Sequence, residues 1–437
     1  MRLRLVYAFI AASLAATPAS AALTSAEQTM VRTVDAEQQR TTDMLQRWVD
    51  QNSGSHNIAG VEAVRRMVEP EFRALGFKTE WIDMKAAGRA GHLVARHAGS
   101  RGGKRLLLIA HLDTVFEPDS PFQRWTREGD MARGPGAGDD KGGIAVIVAA
   151  LRAMQVAGTL KRTNITVFMT GDEEDAGDPL TIARRDLIAE GKKADAALDF
   201  EDLSVKDGKD MGSIARRSAG SWQVTATGRS AHSSGIGSPD VGYGAIYELA
   251  RILDQFRRQL PEDKLTYNVG LIGGGQSAKL DPDQIRLEAA GKTNIVAATA
   301  IARGDLRAIS EEQIARTQQK MRAIVAQSLP GAKAEVSFEG RYPPMPPTEA
   351  NRALLVRLNA VNSDMGLPQM GELDPAERGA GDISFVAKDV SGLVGLGPDS
   401  VGSHTANEAV NVPSIFKQAK RAAILMSRLS SEPRRGR

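Results

Sequence analysis

The chain has no cysteine among its 437 residues. Disulfide bonds and thiolate metal ligands are therefore excluded, and any bound metal ion has to be held by imidazole and carboxylate groups. Histidine is also scarce, because the chain has only six. Each histidine can therefore be weighed individually as a candidate ligand.

An excess of charge of either sign is lacking as well. The 56 basic and 53 acidic residues leave a formal net charge of +3. Removal of Arg2 and Arg4 with an N-terminal leader would reduce this charge to +1. Such a balance gives no argument for nucleic acid or a membrane surface as a partner, and we expect neither.

The N-terminal segment has the composition of a secretory signal. Arg2 and Arg4 precede an apolar run, Leu5 to Ala16, that is too short to span a bilayer. The small residues Ala19-Ser20-Ala21 form a cleavage site after it. We therefore expect a signal peptide at residues 1–21 and a periplasmic or secreted mature protein with no membrane attachment. The alternative is an uncleaved anchor.

A chain of this length exceeds one ordinary hydrophobic core, so we expect two domains. Continuous apolar runs at Arg105–Ala110, Asn164–Thr170 and Ala194–Phe200 are typical of buried strands. Helical spacing is found at residues 25–77 and at Ile144–Met154. Strands that alternate with helices predict an α/β domain with a mostly parallel sheet flanked by helices, and a site at the carboxyl ends of its strands.

The pattern changes from about Ser218. Ser221–Thr227 alternates like a half-exposed strand, Tyr243–Phe256 has the spacing of an amphipathic helix, and Ser310–Gln313 is a capping box. Strands are also predicted at Leu265–Ile272, Asn294–Ile309 and Lys333–Phe338. The prediction is an inserted α+β domain, followed by a proline-rich linker at residues 340–347. The expected order is signal peptide (1–21), catalytic domain (22–216), insert (217–339) and the second part of the catalytic domain (340–437).

Five acid and imidazole positions lie at the ends of apolar or glycine-rich runs: His111, Asp139, Glu174, Glu201 and His404. Three of them follow predicted buried strands directly. Because the carboxyl ends of parallel strands meet at one edge of a sheet, we expect these side chains to converge. Two imidazoles among carboxylates favour zinc over calcium, which prefers six to eight oxygen ligands.

Each motif alone also has a simpler interpretation. His111 and Asp113 could be a hydrogen-bonded pair at a strand end, or Asp113 could fix the tautomer of a metal-bound His111. Gly134–Gly143 could be a solvated turn, and it is a poor phosphate loop because the Lys-Ser/Thr signature is missing. Asp172–Asp175 could be an exposed acidic loop, or one carboxylate could bind metal while its neighbour accepts a proton.

Together and in this order, the motifs are more specific. They are His111-Leu112-Asp113-Thr114-Val115, Gly136 to Gly143, Asp172-Glu173-Glu174, Phe200-Glu201, Gly228 to Ser233, Asn294 with Arg307, and Gly402-Ser403-His404. The chain resembles the zinc-dependent metallopeptidase family that includes bacterial glutamate carboxypeptidase, succinyl-diaminopimelate desuccinylase, acetylornithine deacetylase and aminoacylase. The resemblance covers essentially the whole mature chain and is closest to glutamate carboxypeptidase.

The resemblance implies two Zn²⁺ ions per subunit, with Co²⁺ or Mn²⁺ as possible substitutes. His111 and Glu201 would hold one ion, Glu174 and His404 the other, and Asp139 would bridge them. The resemblance also implies that the insert is a ferredoxin-like lid and dimerisation domain, so we expect a homodimer.

Five further roles are implied in the same way. Glu173 would be the general base on a water that bridges the zinc ions, and Asp113 would orient His111. His232, in the insert, would reach the site of the other subunit and steady the oxyanion. Asn294 and Arg307 would bind the free carboxylate of the substrate, for which an arginine fork is suited.

The function that follows is a di-zinc exopeptidase or amidase acting on a small peptide or N-acyl amino acid. It would release an amino acid with a free α-carboxylate, with glutamate as the leading case. A broader dipeptidase or an N-acyl-amino-acid deacylase would share all the metal residues and is the alternative. A non-catalytic relative that uses the fold for binding or dimerisation would have lost a ligand or the base, whereas every such position is filled here.

Overall fold

A computed structural model describes residues 22–99 and 103–434, so the expected signal peptide lies outside the described residues. The first part of the catalytic domain begins with helices on one side of the sheet. Thr24 and Glu27 form a capping box at the first helix, and Asn57 caps the third. The helices are α1 (Ser25–Ala36), α2 (Gln38–Val49), α3 (Ile58–Ala74), α4 (Lys141–Val156), α5 (Leu180–Ala183) and α6 (Arg185–Gly191).

The strands of this part alternate with those helices. They are β1 (Lys78–Asp83), β2 (Gly91–His97), β3 (Arg105–His111), β4 (Thr126–Glu128), β5 (Met131–Arg133), β6 (Asn164–Thr170), β7 (Ala196–Asp199), β8 (Ser204–Lys206) and β9 (Lys209–Gly212).

The inserted domain begins with β10 (Ala219–Gly228) and returns through a long last strand. Its other elements are α7 (Gly244–Gln259), β11 (Thr266–Tyr267), β12 (Leu271–Gly275), β13 (Ser277–Leu280), β14 (Leu287–Ala290), β15 (Thr299–Arg307), α8 (Glu311–Val325) and β16 (Ala332–Tyr342). The chain then completes the catalytic domain with α9 (Glu349–Asp364), β17 (Gly371–Glu372), β18 (Gly392–Leu393), β19 (Ser400–Val401), β20 (Ala409–Asn411) and α10 (Val412–Ser431).

The central sheet has the strand order β1-β2-β6-β3-β7-β18. β6, β3, β7 and β18 run parallel to one another, whereas β1 and β2 are antiparallel at one edge. Successive residues of β3 enter different apolar clusters: Leu106 and Leu108 pack towards α4 and α10, while Leu107 and Ile109 pack with Leu187 on the other face. Both faces are thus covered, which is why β3 reads as a continuous apolar run.

Register places the functional motifs side by side. His111 is the last residue of β3 and pairs with Thr170, the last residue of β6. The acidic segment that follows β6 therefore begins beside His111. β7 ends at Asp199, so Glu201 emerges from the same edge of the sheet.

The inserted domain has its own sheet, ordered β11-β15-β10-β16, with β12 also paired to β15. Trp222, Leu249, Phe256 and Met321 belong to a separate apolar core formed by this sheet with α7 and α8. β10 and β16 pair from Gly228↔Ala332 to Ala219↔Tyr342. The insert therefore leaves and rejoins the catalytic domain through two neighbouring strands.

The expected α/β class with an inserted α+β domain is confirmed, with two differences in detail. The strand expected at Leu265–Ile272 is split into β11 and β12. β16 continues to Tyr342, into the segment expected to be a linker, because Tyr342 still pairs with Ala219. No helix in the described part of the chain has the length and apolar character required to cross a membrane.

Candidate metal-dependent active site

A pocket of about 260 Å³ lies at the carboxyl ends of the parallel strands. Loops after β5, β6, β7, β17 and β19 bring most of its lining side chains to it. Its walls are strongly charged: the acidic members are Asp139, Glu173, Glu174, Glu201, Asp202 and Glu377, and the basic ones are Arg216, Arg378 and His404. Four of the five expected metal ligands, together with the expected base, therefore line one cavity.

His111, Asp139 and Glu174 form the closest group. One potential ligand atom from each lies within 4.8 Å of the others. His111 Nε2 is 3.0 Å from Asp139 Oδ1, while the opposite ring nitrogen, Nδ1, is 3.1 Å from the Asp113 carbonyl oxygen and 3.4 Å from Asp113 Oδ1. His111 thus presents Nε2 to the carboxylates and is oriented through Nδ1 by Asp113, as a metal-binding imidazole would be.

His404 approaches the same group from the loop after β19. Its Nε2 is 3.1 Å from Glu174 Oε2 and 3.3 Å from Asp139 Oδ2. The residue has φ = 65°, which is uncommon outside glycine. A chain held in a disfavoured conformation at a polar cluster is characteristic of functional sites.

The cluster perturbs its own protonation. Burial raises the pKa of Glu174 to about 7, and hydrogen bonds to Asp139 and Glu174 raise the pKa of His404 to about 11. Burial would raise the pKa of Asp139 as well, but its hydrogen bonds with His111 and His404 outweigh this and hold the pKa well below its usual range. Carboxylates crowded in this way are stabilised by positive charge, which in this cluster comes from protonated imidazoles.

Asp113 does more than orient His111. Its Oδ1 accepts a hydrogen bond from the Glu173 backbone N–H at 3.0 Å, and its Oδ2 accepts one from the Glu174 N–H at 3.1 Å. Ser55 Oγ donates to the same Oδ2 at 2.6 Å. A single buried carboxylate therefore fixes both an expected ligand and the acidic loop.

Glu201 lines the pocket but has a different neighbour. Its Oε2 is 2.7 Å from Arg216 Nη1 and 3.7 Å from Arg378 Nη2. In the described part of the chain, Glu201 does not join the group of ligand atoms within 4.8 Å of one another. The structure therefore brings His111, Asp139, Glu174 and His404 together and pairs Glu201 with an arginine.

The loop that carries Glu173 rests on a buried polar network. Arg184 donates from Nη1 to Asp172 Oδ1 at 2.6 Å and from Nε to Asp382 Oδ1 at 2.7 Å. Tyr342 Oη donates to the Glu173 carbonyl oxygen at 2.5 Å. Burial, and then the negative charge of Glu201, raises the pKa of the Glu173 carboxyl well above its usual value.

The three expected functional residues of the insert lie elsewhere. Of the described residues that line the pocket, none belongs to the insert. His232 is exposed, with Nδ1 2.8 Å from Ser234 Oγ, and it forms an isolated bridge with Ile295 next to the exposed Asn294. Arg307, at the end of β15, contacts Asp305 at 3.2 Å. Within one subunit, the structure thus separates these residues from the metal-ligand candidates.

Arg184, Arg216 and Tyr342 were not anticipated as residues that contribute to the site. Arg184 is fully buried, and Arg216 and Arg378 are nearly so. Arg378 stands in the Arg-Gly-Ala-Gly-Asp segment, whose glycines are a loop signal, but nothing local distinguishes a buried arginine from a surface one. His92, which is not among the ligand candidates, is buried, with Nε2 2.8 Å from the Ala183 carbonyl oxygen.

A mostly parallel sheet with imidazoles and carboxylates gathered at its strand ends, interrupted by a separate α+β domain, is the architecture of a two-domain metallopeptidase. The model of peptidase family M20/M25/M40 matches residues 107–428, and the chain belongs to this family. The expected family relationship is therefore confirmed, and the chain is an enzyme of a family that acts on peptides or acylated amino acids.

Individual relatives support membership of this family. Carboxypeptidase G2 from Pseudomonas sp. (strain RS-16) is 29% identical over 409 residues, 90% of each chain. Succinyl-diaminopimelate desuccinylase from Variovorax paradoxus (strain S110) is 24% identical over 393 residues, 86% of this chain and 94% of that one. Among solved structures, a tripeptidase from Staphylococcus aureus subsp. aureus mu50 has a TM-score of 0.71 at 20% identity, covering 90% of this chain and 99% of that one.

A dinuclear metal binding peptidase from the M20 family of Bacillus subtilis has a TM-score of 0.62 at 14% identity, covering 91% of this chain and 99% of that one. At these identities the solved structures establish the shared fold.

Proposed function

We propose that the protein is a di-zinc exopeptidase or amidase that releases an amino acid with a free α-carboxylate. The observation that carries the proposal is the group of His111, Asp139 and Glu174, whose ligand atoms lie within 4.8 Å of one another. Asp139 and Glu174 line the pocket together with Glu173. The family and the relatives support amide hydrolysis as the reaction.

The donor set fits divalent zinc, since imidazole with carboxylate is the combination that zinc binds in catalytic sites. Glu173 and Glu174, both with a raised pKa, are further chemical support, because a nearby cation would offset their repulsion. We propose that His111 and Glu201 hold one ion, Glu174 and His404 hold a second, and Asp139 binds both. Glu201 would have to share its carboxylate with Arg216. Bound zinc would polarise the scissile carbonyl and lower the pKa of the attacking water.

Glu173 is the proposed general base. Its carboxylate would accept a proton from the attacking water and deliver it to the leaving amine. Burial raises the pKa of the Glu173 carboxyl, so its carboxylate is a stronger proton acceptor than an exposed one. Asp113 would support this step by anchoring the Glu173 and Glu174 amides.

Glutamate is the leading released amino acid because carboxypeptidase G2 is similar over 90% of both chains. Succinyl-diaminopimelate desuccinylase is similar over a comparable length and favours the second candidate, a deacylase or broader dipeptidase. Both candidate functions predict a substrate with a carboxylate near the scissile bond. Arg216 and Arg378 are positively charged groups in the pocket wall.

The first test uses the purified mature protein with added zinc and a mixed panel of N-acyl amino acids and dipeptides. Released amino acids are identified by mass spectrometry beside Glu173→Ala, which should retain its zinc and lose about 10²–10⁴ in kcat. Release dominated by glutamate supports a glutamate carboxypeptidase. Release of many different amino acids supports a deacylase or broader dipeptidase. Wild-type turnover by Glu173→Ala would remove Glu173 as the base.

Arg307 is proposed to bind the substrate carboxylate, together with Asn294. Arg307→Ala should mainly raise KM for substrates with a free carboxylate and leave kcat nearly unchanged, because uniform binding is lost. Arg303→Ala is the matched control, since Arg303 lies on the same strand and is also ion-paired, with Glu339 at 3.2 Å. An unchanged KM for Arg307→Ala would assign the carboxylate to another residue.

We also propose that the protein is a homodimer formed through the insert. Ile246 and Tyr247 on α7 and Ile272 on β12 are each about half exposed, and the Ile246 side chain lies beside Gly274 of β12. A contiguous apolar surface of this kind is typical of an interaction site. In sedimentation experiments the wild-type protein should be a dimer and Tyr247→Asp should be a monomer. A monomeric wild type would reject the proposal.

Export is proposed from the N-terminal sequence. The protein recovered from the periplasm should begin at Ala22, as read by N-terminal mass spectrometry. Full-length chain held in the membrane fraction would instead favour an uncleaved anchor.

A further inference from the structure

Tyr342 occupies an unusual position between the two domains. It is the last residue of β16 and pairs with Ala219, the first residue of β10, at the point where the insert joins the catalytic domain. Its hydroxyl nevertheless donates to the Glu173 carbonyl oxygen at 2.5 Å. A residue of the interdomain connection therefore contacts the main chain of the proposed base directly.

The two peptide groups of Glu173 are held from opposite sides. Its N–H donates to Asp113 Oδ1 at 3.0 Å, and its carbonyl oxygen accepts from Tyr342. The next N–H, of Glu174, also donates to Asp113. Asp113, which follows β3, thus anchors the Glu173 loop from the catalytic domain. Tyr342, at the end of β16, anchors the same loop from the connection between the two domains.

A second contact joins the same two segments. Arg341 Nη2 is 3.1 Å from Asp175 Oδ1, two residues beyond Glu173. This contact is largely solvent-exposed and so contributes little by itself. The Tyr342 hydroxyl is more enclosed, with Arg184 Nη2 3.4 Å away and the Phe385 ring 5.1 Å from the tyrosine ring centre.

The surroundings leave room for the connection to move. A cavity of about 540 Å³ adjoins Tyr342, with Leu180 and Phe385 of the catalytic domain on one side and Leu306 and Ile314 of the insert on the other. The two domains are therefore not closely packed there. The Tyr342 hydroxyl is therefore a direct link between β16 and the main chain of Glu173.

We propose that Tyr342 is a positioning residue that holds Glu173 in its working orientation from the interdomain connection. The proposal rests on the proposed role of Glu173 as the base. Loss of the hydroxyl removes one of the two main-chain anchors of Glu173, so the carboxylate should spend less time aligned with the attacking water. Tyr342 itself neither lines the pocket nor belongs to the metal-ligand candidates.

Tyr342→Phe isolates the hydroxyl, because the phenylalanine ring keeps the packing on Phe385. Tyr267→Phe is the matched control. Tyr267 Oη also donates to a main-chain carbonyl, that of Phe256 at 3.1 Å, but within the insert and remote from the pocket. Both variants lose a tyrosine hydroxyl that donates to a main-chain carbonyl, so a purely structural effect of that loss should appear in both. Tyr342→Phe also removes the 3.4 Å contact with Arg184 Nη2.

Three measurements are made on the full-length mature protein of wild type and both variants. Amide hydrogen exchange of the peptide covering residues 171–178 should accelerate in Tyr342→Phe and stay at the wild-type rate in Tyr267→Phe. On the substrate found with the panel, kcat of Tyr342→Phe should fall about ten- to hundredfold with KM unchanged. Zinc content should equal that of the wild type.

The outcomes are distinguishable. Wild-type exchange and kcat in Tyr342→Phe, with Glu173→Ala inactive, would overturn the positioning role and leave the proposed function intact. Full activity of Glu173→Ala would reject the base itself. Equal losses in both tyrosine variants, with lower thermal unfolding temperatures, would mean that the hydroxyl is only structural and would also overturn the proposal.

Discussion

At the scale of single residues, His404 is the group whose chemistry depends most on its neighbours. Asp139 and Glu174 contact its Nε2 and raise its pKa to about 11, so the imidazole is protonated at pH 7 in the metal-free protein. Zinc binds neutral imidazole. The proposed role of His404 as a zinc ligand would therefore link metal binding to proton release at this residue.

We expect zinc binding at pH 7 to release about one proton or more per protein and to strengthen as pH rises, because each released proton adds a factor of about ten in affinity per pH unit. Zinc affinity rises with pH because the pKa of His404 is raised. Below that pKa a proton competes with the metal for the imidazole, and above it the competition ends. Titration calorimetry in two buffers of different ionisation enthalpy measures the released protons.

His404→Gln should bind less zinc and release fewer protons, while His97→Gln, with its imidazole at the Thr163 carbonyl away from the pocket, should match the wild type. Zinc binding with no proton release would contradict the expected displacement of protons by the metal.

The ligand candidates also show how much of the candidate site could be predicted from the sequence. His111, Asp139, Glu174 and His404 were expected to converge because each lies at a strand end or in a glycine-rich loop, and they do. The pairing of Glu201 with Arg216 could not be foreseen, since it depends on the burial of an arginine 15 positions away and on side-chain direction. Whether Glu201 binds metal remains a prediction.

At the scale of elements, the buried strands were predictable because they are covered on both faces. β6 has the expected bounds, Asn164–Thr170, and β3 extends only one residue further than expected, to His111. The insert was harder, because its strands are half-exposed and their ends depend on pairing. β16 runs beyond the expected Phe338 to Tyr342, and no local signal marks that pairing partner.

Helix α8 provides a test of an element predicted from its cap. Ser310 Oγ accepts the Gln313 N–H at 3.2 Å, as expected, whereas the Gln313 side chain accepts from the Ile309 N–H and not from the Ser310 N–H. Ser310→Ala should lower the free energy of unfolding by about 0.5–2 kcal/mol. Ser310→Gly should lower it by only a few tenths of a kcal/mol. Urea unfolding followed by far-ultraviolet circular dichroism measures the difference. Equal stabilities of the wild type and Ser310→Ala would show that the cap contributes nothing.

At the scale of the whole molecule, the separation of His232 from the pocket has a consequence for assembly. If His232 acts in the site of a partner subunit, then each single-site variant fails for a different reason. Mixing His232→Ala with Glu173→Ala subunits should restore part of the activity, because a heterodimer has one site with both functional groups. Proven heterodimers without any recovery would argue that each site is self-contained.

The paired strands β10 and β16 give the insert one further property. Because Ala219 and Tyr342 are register partners, the two ends of the inserted segment lie side by side at a single edge. A few residues could therefore bridge the gap left by its removal, and the excised segment would have adjacent termini with a core of its own. Replacing the insert would thus change the surface that it presents, while the strand ends that carry the candidate metal ligands stay in place.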